Sequence, residues 1–187
     1  MEVPAHGAGP PSEWVCRFAP LIPRGGRVLD LACGLGRHTR FLRERGLRVV
    51  AIDRDAAAIE TLRGLDRIEA VVADIESAPW RYPPAVFDAV VVTNYLWRPI
   101  VPQLIAALRE GGVLIYETFA LGNERFGRPA NPDFLLRRNE LLEWSMPRLQ
   151  VVAFEQGVVS RPKPAVVQRI CAVWGDPGLV PLDPPVG

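Results

Sequence analysis

The sequence predicts an α/β domain built on a doubly wound, mostly parallel sheet. Three observations lead there. Short apolar runs of strand length recur along the chain, stretches with helical spacing separate them, and a glycine-bearing turn joins the first run to the first helix. The right-handed crossover rule then fixes the hand of each βαβ unit.

In chain order, Ser12 can cap a short helix reaching Ile22, whose apolar face is Trp14, Val15, Phe18 and Leu21. Pro23-Arg24-Gly25-Gly26 breaks it, and Arg27-Val28-Leu29-Asp30-Leu31 reads as a buried strand. A helix over Arg37 to Arg45 follows, closed by Gly46. Val49 to Asp53 is a second strand, and Asp55 caps the helix carrying Ile59 and Leu62. Ala70 to Asp74 is a third strand and Phe87 to Thr93 a fourth. Ile100, Leu104 and Leu108 recur at helical spacing up to Gly111-Gly112, and Val113 to Tyr116 is a fifth strand. An irregular segment, Leu121 to Arg138, precedes a helix from Asn139 to Met146. Leu149 to Phe154 and Val166 to Trp174 then form an antiparallel edge. The expected domain is 12–175, with Pro- and Gly-containing flexible tails at 1–11 and 176–187.

With 187 residues and a 49% hydrophobic fraction, the chain can bury one substantial core. A net charge of +1 argues against a broad nucleic-acid footprint. Cys16, Cys33 and Cys171 form no CxxC pair, and no cluster has metal-ligand spacing, so neither a disulfide framework nor a metal is expected. The start lacks the apolar core of a signal peptide, and no run has the roughly 18 apolar residues that span a bilayer. A soluble, cytoplasmic protein is the expectation, and its edge strands and apolar tails would permit a homodimer.

The informative stretch is Asp30-Leu31-Ala32-Cys33-Gly34-Leu35-Gly36. Glycines at a strand-to-helix turn admit positive φ and let a ligand approach bare backbone, at the carboxyl edge where open α/β sheets bind ligands. A dinucleotide fingerprint would place a third glycine where Thr39 stands. Asp30 beside the turn would oppose a pyrophosphate and suits a cofactor carrying an amino group or sulfonium. Asp53 ends the second strand, where a carboxylate can accept two ribose hydroxyls. Asp74 ends the third, suited to an exocyclic amine, with Ile75 packing on the ring.

These residues resemble the first three motifs of class I S-adenosylmethionine (SAM)-dependent methyltransferases, and Leu108 to Gly112 resembles that family's approach to strand five. The similarity spans roughly residues 25–175, and the glycine-turn region is also similar to small tellurite-resistance-type methyltransferases. It implies a Rossmann-like seven-stranded sheet with an antiparallel last strand. It further implies SAM as cofactor and S-adenosylhomocysteine as product, held by Asp30, Ala32, Cys33, Gly34, Gly36, Asp53, Asp74, Ile75 and Asn94.

The acceptor pocket is expected at the ends of strands four and five. Thr93-Asn94-Tyr95-Leu96-Trp97 lacks the Pro-Pro-aromatic sequence of amino-directed methyltransferases, which argues against adenine or glutamine as acceptor. Asn94 and Tyr95 are candidate catalytic residues, although Tyr95 and Trp97 could equally pack under the next helix. Glu117 is either a general base or a substrate-orienting carboxylate, next to Tyr116 as a substrate contact. The segment 122–134 is long for a connection, as lids are, and offers Asn123, Arg125 and Arg128 to an anionic substrate. A self-contained surface loop is the competing reading of it. His38 is read as structural. A small-molecule acceptor is the leading reading; RNA or protein methylation, or a non-catalytic SAM-binding subunit, are the alternatives.

Overall fold

A computed structural model describes residues 9–181. The elements are α1 (Glu13–Phe18), β1 (Arg27–Leu31), α2 (Arg37–Glu44), β2 (Arg48–Asp53), α3 (Ala56–Glu60), β3 (Ile68–Val72), β4 (Phe87–Thr93), α4 (Val101–Ala107), β5 (Leu108–Phe119), α5 (Glu140–Ser145), β6 (Leu149–Val159) and β7 (Ala165–Trp174). The seven strands form one sheet in the order β3-β2-β1-β4-β5-β7-β6. Pairings from β3 through β5 are parallel, while β7 runs antiparallel to both β5 and β6. This is the expected Rossmann-like arrangement, and its strand order reverses between β1 and β4. A crevice for ligands opens beyond the carboxyl ends at such a reversal.

Alternating side chains feed two cores. Leu29, Leu31, Val90, Val92, Leu114 and Tyr116 pack toward α4 and α5. Val28, Ala89, Val91, Val113 and Ile115 pack toward α1 and α2 with Trp14, Phe18 and Leu42. A smaller cluster, Cys33, Ala51, Ile59 and Leu62, seats α3.

Several boundaries differ from expectation. The first helix stops at Phe18 and tightens into a 3₁₀ turn, Ala19–Leu21, because Pro20 has no N–H to continue the ladder. β3 ends at Val72, so Asp74 lies in the following turn, accepting from Glu76 N at 3.1 Å. The helix carrying Leu104 ends at Ala107, and Ile100 lies in the 3₁₀ turn, Arg98–Ile100, that leads into it. Leu108 already pairs with Phe87 in the sheet, and an irregularity before Val113 restores register to Ala89. Leu108 is fully buried as a strand residue, so the apolar spacing was real but its last member belonged to the next element. β6 runs five residues past Phe154, because pairing with β7 continues to Val159↔Ala165 beyond any apolar alternation. Residues 9–11 and 176–181 carry no helix or strand, and the rest of the expected tails lie outside the described residues.

Candidate functional site

The turn after β1 begins with Ala32 at φ 54°, then Gly34 at 55° and Gly36 at 77°, the last being the uncapped start of α2. A side chain at Gly36 would also collide with Leu62, which a Cβ would approach to 2.6 Å. Asp53 braces this turn. Its Oδ2 accepts from Gly34 N at 2.7 Å and its Oδ1 from Asp55 N at 2.9 Å. Each carboxylate oxygen retains a lone pair for a further donor. Cys33 donates its N–H to Ile52 O, and burial pushes its thiol pKa up, so it remains a thiol.

Asp30 is 1% exposed and faces α2, accepting the Thr39 hydroxyl at 2.5 Å. Burial lifts its pKa to about 7, against the Thr39 hydrogen bonds. The carboxylate therefore holds the first turn of α2, a task that its place in the glycine motif did not reveal.

A polar row crosses the same face of the sheet in register: Thr93 on β4 stands beside Glu117 on β5, Glu117 beside Arg169 on β7, and Arg169 beside Glu155 on β6. Glu117 accepts the Ser12 hydroxyl at 2.7 Å on one oxygen and Arg169 Nη1 at 3.3 Å on the other. Arg169 continues to Glu155 and lies over the Trp14 ring at 5.0 Å. Ser12 also donates its N–H to His38 Nε2 at 3.0 Å, and His38 Nδ1 meets the Thr93 hydroxyl at 3.3 Å. Ser12 was legible as a helix cap. Its bonds to Glu117 and His38 bridge 105 and 26 residues and have no local signature.

Beyond β4, Asn94 takes φ 55° and donates its N–H to Glu117 O at 2.9 Å, fixing the crevice wall between the two strand ends. The Tyr95 hydroxyl donates to Glu76 at 3.2 Å, on the side of the sheet edge that carries Asp74 and Ile75. Burial, with Glu76 beside it, pushes the phenol pKa up, so Tyr95 is a donor rather than a base. Tyr116 is 1% exposed on the opposite face from Glu117, and its hydroxyl donates to Tyr95 O at 2.9 Å. A cavity of about 280 Å³ opens below the β3–β4 loop, lined by Ile52, Ala73, Ile75, Trp80, Tyr82 and Trp97 among others.

The long segment after β5 is built, not slack. Leu136 N donates to Phe119 O and Leu121 N to Leu136 O, which closes its base. The Asn123 amide is taken up inside it, donating to Pro129 O and accepting from Val166 N. Arg98 reaches in from the β4–α4 connection, donating to Asp133 O, Leu135 O and the fully buried Glu140 carboxylate. Arg125 and Arg128 are exposed and make no ion pair among the described residues. The structure thus places Ala32, Cys33, Gly34, Gly36, Asp53, Asn94 and Glu117 at the carboxyl ends of β1, β2, β4 and β5, with Asp74 and Ile75 after the end of β3 and Tyr95 bonded to Glu76 beside them, while Asp30 is buried against α2.

The chemistry of these residues suits an adenosyl cofactor: Asp53 and Asp74 offer acceptors at successive strand ends, bare backbone lines the turn, and Ile75 borders a cavity. Among the described residues, no group of three or more metal-ligating side chains is present.

Fold and strand order define a Rossmann-like domain with its ligand crevice at the reversal between β1 and β4. Residues 28–112 match the family model described as "Methyltransferase domain". It is 32% identical over 105 residues to the malonyl-[acyl-carrier protein] O-methyltransferase of Serratia marcescens, covering 53% of this chain and 40% of that protein. It is 33% identical over 105 residues to the demethylmenaquinone methyltransferase of Clavibacter sepedonicus, covering 51% and 42%. The chain thus spans about two fifths of the length of these curated relatives. In fold it is similar to TehB from Haemophilus influenzae, with a TM-score of 0.71 at 21% identity over 86% of this chain and 61% of that one. A SAM-dependent methyltransferase from Mesorhizobium loti superposes with a TM-score of 0.67 at 18% identity, over 83% and 95%.

Proposed function

We propose that this protein transfers a methyl group from SAM to a small organic acceptor in the cytoplasm. The observation that carries this reading is the Asp53 carboxylate at the end of β2, bonded to Gly34 N at 2.7 Å, so that the ribose acceptor and the bare turn form one unit. Bound SAM would supply an activated methyl carbon for in-line displacement. The chain's own part is to orient, to exclude water and to manage a proton. Asp53 would accept ribose hydroxyls, Asp74 the adenine amine, and Ile75 would cover the ring. Asp30 would act through α2, holding Ala32, Cys33, Gly34 and Gly36 in their turn.

On the acceptor side, Asn94 would line the transfer point and Tyr95 would donate a hydrogen bond. Glu117, held in place by Ser12 and Arg169, would orient an acceptor. Tyr116 and Asn123 would act indirectly, the one holding the backbone at Tyr95 and the other the frame of the loop. Arg125 and Arg128 would meet an anionic group. Two relatives bear names that denote methylation of a malonyl group on an acyl carrier and of demethylmenaquinone, which favours a small organic group over nucleic acid. No helix among the described residues is long and apolar enough to cross a membrane.

Parallel calorimetric titrations with SAM, S-adenosylhomocysteine and NAD test the reading. Saturable binding of both adenosyl compounds and none of NAD is expected. Absence of adenosyl binding would remove the cofactor assignment and with it the activity.

A further inference from the structure

Thr93 stands at the carboxyl end of β4 and is 7% exposed. Leu31 of β1 pairs with Val92, so Thr93 lies level with Ala32, where the glycine turn begins. Its hydroxyl has one proton and two lone pairs, and where that proton goes depends on His38.

The tautomer of His38 is set by its partners. Ser12 N is a backbone amide and can only donate, so His38 Nε2 must be an acceptor. The ring is 1% exposed and neutral, since burial, with the Arg37 charge nearby, depresses its pKa to about 3. A neutral ring that accepts at Nε2 carries its proton on Nδ1. That proton points at Thr93 Oγ1, 3.3 Å away, and occupies one of its lone pairs. The Thr93 proton therefore meets no acceptor among the described residues, although it lies between the glycine turn and Glu117.

Resting on the methyltransferase reading above, we propose that the Thr93 hydroxyl donates to the carboxylate of the cofactor's amino-acid end, with His38 and Ser12 as positioning residues that free its proton. A ligand draped over Ala32, Gly34 and Gly36 passes this point. A carboxylate is the acceptor group that distinguishes the amino-acid end from the nucleoside. Glu117, the register neighbour of Thr93, does not take this proton in the structure; its oxygens accept from Ser12 and Arg169 instead.

The test compares S-adenosylhomocysteine with 5′-methylthioadenosine, which lacks the amino-acid group, by calorimetry on wild-type protein, Thr93→Val and Thr93→Ser. Removing one hydrogen bond to a charged acceptor should weaken S-adenosylhomocysteine binding about tenfold or more in the valine variant. Methylthioadenosine affinity should not change, and serine should restore the loss. An equal loss for both compounds would make the hydroxyl a structural group, and no loss for either would also overturn the proposal. Wild-type protein that binds neither compound would instead sink the methyltransferase reading itself. Independently of any ligand, long-range ¹H–¹⁵N spectra at neutral pH should show His38 protonated on Nδ1. A proton on Nε2 would break the routing on which the proposal stands.

Discussion

The Ser12 hydroxyl donates to Glu117 at 2.7 Å while accepting the Trp14 N–H at 3.1 Å, so one side chain both caps α1 and holds a carboxylate at the end of β5. The start of α1 is thereby tied to the crevice, and Glu117 is restrained on two sides. Glu117→Gln keeps an acceptor for Ser12 but turns an uncharged amide toward Arg169. Thermal or urea unfolding should show a loss of about 1–2 kcal/mol, the size of a charge-assisted hydrogen bond in a partly exposed setting. S-adenosylhomocysteine affinity should stay near wild type. A loss of affinity as large as the loss of stability would place Glu117 in the cofactor site instead.

Asp53 joins two structures, since it braces the turn at Gly34 and starts the approach to α3 through Asp55. Asp53→Ala should weaken SAM binding by roughly 1–3 kcal/mol, from lost hydrogen bonds to a charged acceptor and a loosened turn. Calorimetry measures it, and unchanged affinity would remove the ribose assignment.

Arg98 and Glu140 fasten the segment after β5 from beneath. Burial raises the Glu140 pKa, but hydrogen bonds from Arg98 and Arg137 outweigh it and bring the net shift below the ordinary value. Arg98→Met removes one of those cations and also the donors to Asp133 O and Leu135 O. Leaving a buried carboxylate short of its partner should cost about 3–5 kcal/mol in unfolding experiments. Cleavage by a protease within 122–134 should accelerate in the same variant. If stability falls while cleavage is unchanged, Arg98 supports α5 and not the loop.

Most of the scaffold was legible because buried parallel strands are written as uninterrupted apolar runs, as in Val49 to Ile52 and Val90 to Val92. The cofactor side was legible for a related reason: the glycines and Asp53 are local to strand ends, where sequence order and spatial order agree. The end of β3 and the start of β5 were misplaced by a few residues, since apolar spacing does not report where a ladder begins. The polar row was not legible. Thr93, Glu117, Arg169 and Glu155 meet only through the register of four strands, and His38 gives no sign of its partners.

Two buried groups on α2's side of the sheet should shape stability against pH in opposite senses. The folded pKa of His38 is near 3, below its ordinary 6.5, because of burial and the Arg37 charge. Its contribution is therefore present above pH 6.5 and lost as pH falls toward 3, where only the unfolded state takes up the proton. The folded pKa of Asp30 is about 7, above its ordinary 3.8, chiefly because of burial. Its contribution is present below pH 3.8 and lost as pH rises through about 7. Across the shared window the two slopes, each about 1.4 kcal/mol per pH unit, run against one another. Asp30→Asn keeps an amide oxygen for Thr39 and abolishes one slope. Relative to wild type, it should lose stability by about that amount for each unit that pH falls, through most of the window. His38→Gln should diverge in the other direction over the same range. Urea unfolding of the three proteins between those limits decides the matter: curves that stay parallel would mean that neither group titrates differently on folding.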